Sequence, residues 1–298
     1  MVHIAVLVHP RQKFTQNSSW LGELAGIWKE RGIRITVMRE PTPTIRPDVV
    51  FHSVDLTRTP PEYVAFLERF PVVVNRRVTD ISKRRISRHI VDRPEAFDGP
   101  VIIKTDLNCN GIPEAAFASA DRPKEAPRVK MDTAWETRSW LPTYPILRST
   151  RQVPAGVWSN PNLVVERFLP EREGDLFCIR TWLFLGEAER VARFFAKSPV
   201  IKSDTIVGRE RLFEVPDDLR RLRRDLGFEF GKFDYAIVGG ETVLFDANRT
   251  PTLGVIPRDE VLPWLTRFSD GLWTFIPRPP EIPEAPDPDA ATERLFAD

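Results

Sequence analysis

The sequence predicts a mixed α/β fold, with alternating strands and helices at the N-terminus and α+β character in the remainder. Short β-branched segments alternate with a helically spaced apolar segment up to about residue 75. A dense series of strand-like segments then occupies residues 163–256. With 298 residues, of which 42% are hydrophobic and 29% charged, the chain can bury the core of one large domain or of two.

Residues 1–75 are predicted to form an N-terminal domain around a small parallel sheet. Apolar residues at helical spacing indicate a helix over residues 18–31, and Gly32 terminates this helix. Strands are predicted at residues 3–8, 33–38, 48–52 and 72–74. Ligands of such sheets bind at the carboxyl ends of the strands, so His9 and Asp55 are the favoured contacts. The first turn reads HPRQKF, which excludes the GxGxxG fingerprint of dinucleotide binding.

The remaining sequence is predicted to form a domain of two lobes, residues 76–276, and a tail. The first lobe, residues 76–162, begins with a basic segment predicted as a helix over 80–91, before a strand at 100–104 and a polar turn at 105–113. The second lobe, residues 163–276, contains the strand-like segments LVVERFL, FCIRTWLFL, RVARFFA, KFDYAIV and ETVLFDAN, with a helix over 217–226. Residues 277–298 are rich in proline and acid, which predicts a disordered tail.

Charge and cysteine content exclude several classes of protein. The 43 Lys and Arg residues balance 42 Asp and Glu residues, so no strong field favours nucleic acid or an anionic membrane as the main partner. No apolar stretch is long enough for a membrane span, and the N-terminus lacks the pattern of a secretory signal. Cys109 and Cys178 have no CxxC partner, and two thiols fit a reducing compartment. These features predict a cytoplasmic protein.

The segment KFDYAIVGGETVLFDANRTP carries the clearest chemical signal. Asp246 and Asn248 are two residues apart on one strand and must share a face. Asp234 lies across from Asp246 if the hairpin loop has three residues, but on the other face if it has two. Three converging oxygen-bearing side chains would suit a hard divalent cation with phosphate oxygens. The alternative interpretation is a surface hairpin with polar ends.

Single charged residues also interrupt apolar strands. Lys104 ends the strand PVIIK, and the N–H groups of the turn after it could face phosphate. Arg180 and Arg193 interrupt FCIRTWLFL and RVARFFA, so each either faces solvent or clamps a phosphate or carboxylate. Alternation places Arg180 on the same strand face as Trp182, which favours a cleft.

In this order, the segments resemble the ATP-grasp superfamily over residues 76–256. The shared pattern is a strand-borne lysine with a loop, an apolar strand ending in a hinge, a strand with an arginine, and an aspartate before acid-x-Asn-x-x-Pro. The carboxylate–amine ligase branch, with the D-alanine ligases and the ribosomal-protein glutamate ligases, is the most similar. The preceding α/β unit resembles the Rossmann-like pre-ATP-grasp domain of such enzymes. The resemblance implies ATP bound between two lobes, with one or two Mg²⁺ ions.

The resemblance also implies roles for single residues. The magnesium ligands are matched by Asp234, Asp246 and Asn248. The nucleotide site is matched by Lys83 and Lys104 for the phosphates and the adenine edge, by Glu166, Arg167, Phe168 and Leu169 for the adenine-reading hinge, and by Asp175 for the ribose. The catalytic cations are matched by Arg180 at the transferred phosphoryl group, Lys232 at the developing oxyanion and Arg249 toward the acceptor.

The implied function is that of an ATP-dependent ligase, which activates a substrate carboxylate as an acyl phosphate and joins it to an amine. The substrate would be a small molecule or a peptide. The sequence does not decide between a monomer and a homodimer. Two alternatives use the same fold: a phosphotransferase, or a nucleotide-binding scaffold without turnover, which the glycine-poor loop TDLNCNGIPE favours. The basic clusters at 76–88 and 220–224 are interpreted as solvated helix faces, so neither nucleic acid nor membrane is an expected partner.

Overall fold

Three β-sheets follow one another along the chain in the computed structural model, which describes residues 1–41, 44–118, 134–253 and 258–286. The first two sheets have four strands each and the third has six. This mixture of helices and sheets confirms the predicted fold class. Within the described ranges, no helix has both the length and the apolar character needed to cross a membrane.

The first sheet is parallel throughout, as the alternation of strands and helices predicted. Its strands, in the spatial order β2-β1-β3-β4, are β1 (His3–Leu7), β2 (Arg34–Met38), β3 (Val49–His52) and β4 (Val73–Val74). Helix α1 (Trp20–Glu30) connects β1 to β2, and α2 (Pro61–Leu67) connects β3 to β4. The hydroxyl of Ser19 accepts the N–H of Gly22 and thereby caps α1. Every residue of β3 is buried, which is typical of a strand covered on both faces.

The second sheet is antiparallel and lies between residues 90 and 167. Its strands, in the order β5-β8-β6-β7, are β5 (Ile90–Val91), β6 (Val101–Thr105), β7 (Ile146–Leu147) and β8 (Leu163–Arg167). The short helix α3 (Lys83–Ile86) precedes it, and α4 (Ile112–Ala118) and α5 (Ala155–Ser159) lie between its strands.

The helix predicted over residues 80–91 is wrong in its extent. Only α3 forms, and Ser87 then takes an extended conformation with φ −83° and ψ 136°. Ile90 and Val91 pair with β8 instead of continuing the helix. The physical reason is that Val91 packs in the buried cluster of this sheet, and such tertiary packing overrides helix propensity.

The third sheet forms one wall of a cavity against the second sheet. Its strands, in the order β12-β11-β10-β13-β14 with β9 beside β10, are β9 (Glu171–Glu173), β10 (Leu176–Leu185), β11 (Ala188–Ala196), β12 (Ile206–Leu212), β13 (Phe230–Val238) and β14 (Glu241–Asn248). Helix α6 (Asp217–Leu226) matches its prediction and ends at Gly227, whose φ of 77° suits glycine. Leu219 of α6 packs with Trp182, Phe184 and Phe233 in a buried cluster, so α6 covers one face of the sheet.

The hairpin of β13 and β14 has the predicted pairing of Asp234 with Asp246, but a different feature of the hairpin produces it. Its loop has two residues, Gly239 and Gly240, with φ values of 60° and 87° that suit a hairpin turn of glycines. A two-residue loop alone would separate Asp234 from Asp246 onto opposite faces. A β-bulge at Phe245 shifts the register by one residue, and Asp234 therefore pairs with Asp246.

The C-terminal part packs against the first sheet and α1. Helix α7 (Arg258–Phe268) was not predicted, and its Leu265 belongs to the same buried cluster as Trp28 of α1. Of the predicted disordered tail, the structure describes residues 277–286. In that stretch Ile282 is buried in the same cluster, and the N–H of Ala285 donates to Asp270 at 2.8 Å. Residues 287–298 lie outside the described residues.

His52, at the carboxyl end of β3, makes stability depend on pH. Burial, with repulsion from Arg249, lowers the pKa of His52 to about 3. The unfolded chain, with a pKa near 6.5, therefore binds a proton that the folded protein excludes, and stability is lost as pH falls below that value. The free energy of unfolding, measured in urea, is expected to fall by about 2 kcal/mol between pH 8 and pH 5 because of this residue. For a His52→Gln variant, the free energy of unfolding should fall by about 2 kcal/mol less than for the wild type over the same pH range. Equal falls in the two proteins would show that His52 is not the source of the pH dependence.

Candidate functional site

A cavity of about 250 Å³ separates the second sheet from the third. The second sheet contributes charged side chains to one wall, and β13 and β14 contribute aspartates to the other. The segment between the two sheets closes one side. The residues that line it include Lys83, Lys104, Tyr144, Glu166, Arg167, Phe168, Leu169, Pro170, Ile179, Asp234, Phe245 and Asp246.

Two aspartates lie side by side on the third sheet, and each pairs with a lysine. Asp234 and Asp246 are direct neighbours across β13 and β14. Lys83 from α3 donates to Asp246, and Lys232 Nζ lies 3.0 Å from Asp234 Oδ2. Two carboxylates this near repel each other, and the two ammonium groups offset that repulsion.

Burial and charge act in opposite directions on this cluster. Burial raises the pKa of Asp234 and the Asp246 charge raises it further, against the opposing effect of Lys232. For Asp246, burial also acts upward, but the charge and hydrogen bond of Lys83, together with the charges of Lys232 and Lys104, outweigh it and the pKa is lowered. Burial alone would lower the pKa of Lys83 and of Lys232, but their aspartate partners outweigh it and both values are raised. The lysines therefore carry charge at neutral pH.

The second sheet contributes an ion pair to the opposite wall. Lys104 Nζ lies 2.7 Å from Glu166 Oε2, and both side chains are nearly inaccessible to solvent. The same ammonium group lies 5.3 Å from the ring centroid of Phe245, the bulged residue of β14. The bulge therefore has two effects, because it aligns the aspartates and also places an aromatic face beneath a cavity lysine. Phe245 was not predicted as a site residue, because nothing in the sequence marks it as the bulged position.

Two carboxylates of the cavity each have a buried oxygen atom without a hydrogen-bond donor. Asp234 Oδ1 and Glu166 Oε1 are inaccessible to solvent and accept no hydrogen bond. Such atoms are costly unless a donor or a cation satisfies them. In the described part of the chain, no three His, Cys, Asp or Glu side chains group closely enough to hold a metal ion alone. Mg²⁺ needs only one or two carboxylates when phosphate and water complete its shell, so Asp234 and Asp246 fit this ion.

Asn248 lies on the same strand face as Asp246, as predicted, but it is already engaged. Its Oδ1 accepts the N–H of Thr250 at 2.8 Å and lies 3.2 Å from the Thr250 hydroxyl. That hydroxyl also lies 2.6 Å from Asp55 Oδ1, so Asp55 is adjacent to the predicted metal ligands. His9 is instead stacked on Phe117 of α4, with 4.2 Å between ring centroids.

The four residues of the predicted hinge lie together at the end of β8. Glu166, Arg167, Phe168 and Leu169 all line the cavity. The N–H of Arg167 donates to the carbonyl of His89 at 2.9 Å, and that of Phe168 donates to Pro100 at 2.8 Å, so the start of the hinge is fixed to the second sheet. Asp175, predicted to contact ribose, is exposed in the turn between β9 and β10 and does not line the cavity.

The structure does not bring Arg180 to the cavity. Asp234 pairs with Thr181 across β13 and β10, so Arg180 next to it points to the opposite face of the sheet. There its guanidinium forms a bidentate pair with Glu171. The sequence left solvent and a bound anion open as surroundings of Arg180, and the structure shows an anion. The anion is a carboxylate of the same sheet.

Arg249 was predicted to face the acceptor substrate, but the structure buries it elsewhere. Its side chain is fully buried, and its guanidinium donates to three main-chain carbonyls of the N-terminal part, those of Val54, Leu56 and Val78. Every nitrogen of the guanidinium is engaged in this way, so the group does not face an acceptor substrate. Arg249 instead connects the end of β14 to the loops that follow β3 and β4.

A second cavity of about 410 Å³ adjoins the first and shares Ile179, Ile201 and Asp234 with it. Its floor includes Thr181 and Lys232 of the third sheet, and its walls include Trp20 of α1 and Trp264 of α7. Sequence reasoning missed this cavity, because its walls come from helices that are about 240 residues apart in the chain.

No protein-family model matches the sequence, and no curated protein does. Solved structures do. A RiPP-associated ATP-grasp ligase from Chryseobacterium gregarium, in complex with ADP and a leader and core peptide, aligns with a TM-score of 0.53 and 8% identity, over 95% of this chain and 99% of that chain.

Two further structures are similar at lower scores. The D-alanine–D-alanine ligase of Bacillus anthracis, complexed with ATP, has a TM-score of 0.49 and 11% identity, over 93% of this chain and 96% of that one. The macrocyclase MdnB from Microcystis aeruginosa has a TM-score of 0.47 and 12% identity, over 91% and 99%. The alignment with the Chryseobacterium structure covers nearly the whole chain and rests on backbone shape. The chain therefore has the ATP-grasp fold, as the order of its motifs predicted.

Proposed function

We propose that this protein is an ATP-dependent ligase that activates a carboxylate as an acyl phosphate and joins it to an amine. The observation that carries this proposal is the pair of facing walls around the first cavity. Lys104 and Glu166 lie on one wall, and the Asp234 and Asp246 pair with its lysines lies on the other. The Chryseobacterium structure, which has the same fold, is an ATP-grasp ligase in complex with ADP and with a leader and core peptide.

In this proposal the nucleotide lies between the second and third sheets. The hinge of residues 166–169 reads adenine, and Lys83 and Lys104 contact the phosphates. Mg²⁺, when bound by Asp234 and Asp246, would neutralise charge on the phosphate oxygens. Lys83, which pairs with Asp246, would be available to the phosphates when that carboxylate holds Mg²⁺. Residues 1–75 form the Rossmann-like domain in front of this site, with residues 76–162 and 163–276 as the two lobes.

The reaction is mainly one of positioning and electrostatics. A substrate carboxylate oxygen attacks the γ-phosphorus, the bond to the β–γ bridging oxygen breaks, and ADP leaves with that electron pair. Lys232 lies beside Asp234 at the junction of the two cavities, where it stabilises the charge of the transferred group. An amine then attacks the acyl carbon, phosphate leaves, and the amine loses a proton.

The second cavity, which we call the substrate groove from here on, favours a peptide as the carboxylate substrate. Its volume of about 410 Å³ exceeds what a single amino acid needs, and it opens directly onto Asp234 and Lys232. Its walls combine Trp20 and Trp264 with charged side chains such as Lys202, which suits a chain segment with apolar and polar groups. The Chryseobacterium ligase was solved with a leader and core peptide, which supports the same substrate class.

Hydroxylamine tests the proposed chemistry before the natural amine is identified. Carboxylate-containing peptides are incubated with Mg-ATP, with and without hydroxylamine, and both ADP and hydroxamate are measured. A ligase is expected to form hydroxamate in step with ADP, because hydroxylamine captures the acyl phosphate. A phosphotransferase acting on hydroxyl groups would form ADP without hydroxamate. A protein that binds Mg-ATP but forms no ADP with any peptide would be a scaffold, which contradicts the proposal.

A further inference from the structure

Glu171 is the first strand residue after the hinge, and it is engaged from several sides. Its side chain is 7% exposed. Arg180 of β10 holds both carboxylate oxygens, with Nε 3.0 Å and 2.9 Å from them and Nη2 2.7 Å from Oε1. Arg193 of β11 lies 3.6 Å from Oε1. We call Glu171, Arg180 and Arg193 the hinge clamp.

The same carboxylate also holds the strand that carries Asp234. The backbone N–H of Ile237, three residues further along β13, donates to Glu171 Oε2 at 2.8 Å. The ladder between β10 and β13 begins at the Arg180–Tyr235 pair, so this N–H lies beyond it and takes a side-chain acceptor instead. Burial acts to raise the pKa of Glu171, but Arg180 and the Ile237 N–H outweigh it and the pKa is lowered. The carboxylate is thus ionised and satisfied.

The hinge is therefore fixed at both ends. Arg167 and Phe168 are bonded to the second sheet, and Glu171 is bonded to the third. Only Leu169 and Pro170 remain between these fixed points, and both line the first cavity. The distance between the hinge and Asp234 is consequently set by the clamp, because Glu171 contacts the strand of Asp234 directly.

We propose that Glu171, held by Arg180 and Arg193, is a positioning residue that fixes the hinge against β13 and thereby sets the base selectivity of the nucleotide site. This inference rests on the proposed function, since it requires a nucleotide in the first cavity. None of the three residues lines the first cavity. The clamp also explains why an arginine interrupts the apolar strand β10.

Nucleotide binding by a Glu171→Gln variant tests the clamp. The affinities of Mg-ATP, Mg-GTP and Mg-tripolyphosphate are measured by calorimetry for the wild type and the variant. We expect ATP affinity to fall about tenfold and the ATP-to-GTP preference to fall with it, because the base end is misplaced. Tripolyphosphate affinity should stay unchanged, because it contacts only the phosphate end. A merely structural ion pair would lower the melting temperature and leave the base preference intact.

A matched control and a milder variant complete this experiment. Glu173→Gln removes a carboxylate from the same strand that also pairs with Arg193, at 2.5 Å, but its side chain is 59% exposed and bonds neither β10 nor β13. It should bind all three ligands as the wild type does. Arg180→Lys keeps the charge but loses the bidentate fork, and gives a smaller loss of base preference even if Glu171→Gln does not fold.

The outcomes separate the clamp from the proposed function. A wild type that binds no ATP overturns both. A wild type that prefers ATP over GTP, together with Glu171→Gln and Arg180→Lys variants that keep this preference, overturns the clamp alone. A wild type that binds both nucleotides equally also overturns the clamp, because the hinge then does not read the base.

Discussion

Asp246→Asn is expected to abolish the stabilisation that Mg-ATP gives the wild-type protein. At about 100 times its dissociation constant, Mg-ATP should add roughly 2.7 kcal/mol to the wild type, a shift of several degrees in a thermal melt. The variant loses a carboxylate of the proposed magnesium pair and leaves Lys83 buried without its ionic partner. ADP formation should fall by a factor of about 100 or more, as when a group that stabilises transferring charge is removed.

Thermal melts with and without Mg-ATP, and ADP formation with the peptide substrate, measure this effect. Asp225→Asn is the matched control, because Asp225 is an exposed aspartate of α6 on the far side of the third sheet. It should keep the full shift and the full rate. An Asp246→Asn protein that folds and still shifts with Mg-ATP would remove Asp246 from the metal site and make the surface-hairpin interpretation the better one.

How far the sequence predicts this site is clearest at the hairpin of β13 and β14. Alternation alone correctly placed Asp246 and Asn248 on one face. The pairing of Asp234 with Asp246 was predicted on condition of a three-residue loop, and the structure has two. A bulge changes register by one residue just as an extra loop residue does, so the two solutions give the same pairing. A glycine pair marks a turn, but nothing in the sequence marked Phe245 as the bulge.

The strand arginine illustrates a different limit. Periodicity correctly grouped Arg180 with Trp182 on one face of β10, but it carries no information on which face meets the cavity. That choice is made by α6, whose Leu219 covers the aromatic face and leaves Thr181 beside Asp234. Local patterns therefore predicted most strands, whereas the assignment of faces depended on packing between segments distant in sequence. The substrate groove was missed for the same reason.

Arg249→Met is expected to produce the largest loss of stability of any variant considered. Methionine fills most of the same volume but donates no hydrogen bond, so the carbonyls of Val54, Leu56 and Val78 lose their partner inside the protein. Buried acceptors without partners cost about 1 to 3 kcal/mol each before relaxation, so we expect a loss of about 3 to 5 kcal/mol. Burial lowers the pKa of Arg249 to about 10, so the guanidinium is charged at neutral pH.

Urea unfolding at pH 7 measures this loss, with Arg221→Met as the matched control. Arg221 is an exposed arginine of α6, and its replacement should change stability by no more than about 0.5 kcal/mol. The stability of Arg249→Lys should lie between those of the wild type and Arg249→Met, because an ammonium group keeps the charge but cannot reach three carbonyls at once. If Arg249→Met unfolds like the wild type but forms no ADP, Arg249 serves the reaction and not the connection between β14 and the first sheet. If it unfolds early but recovers nucleotide binding at low temperature, the connection is the role of Arg249.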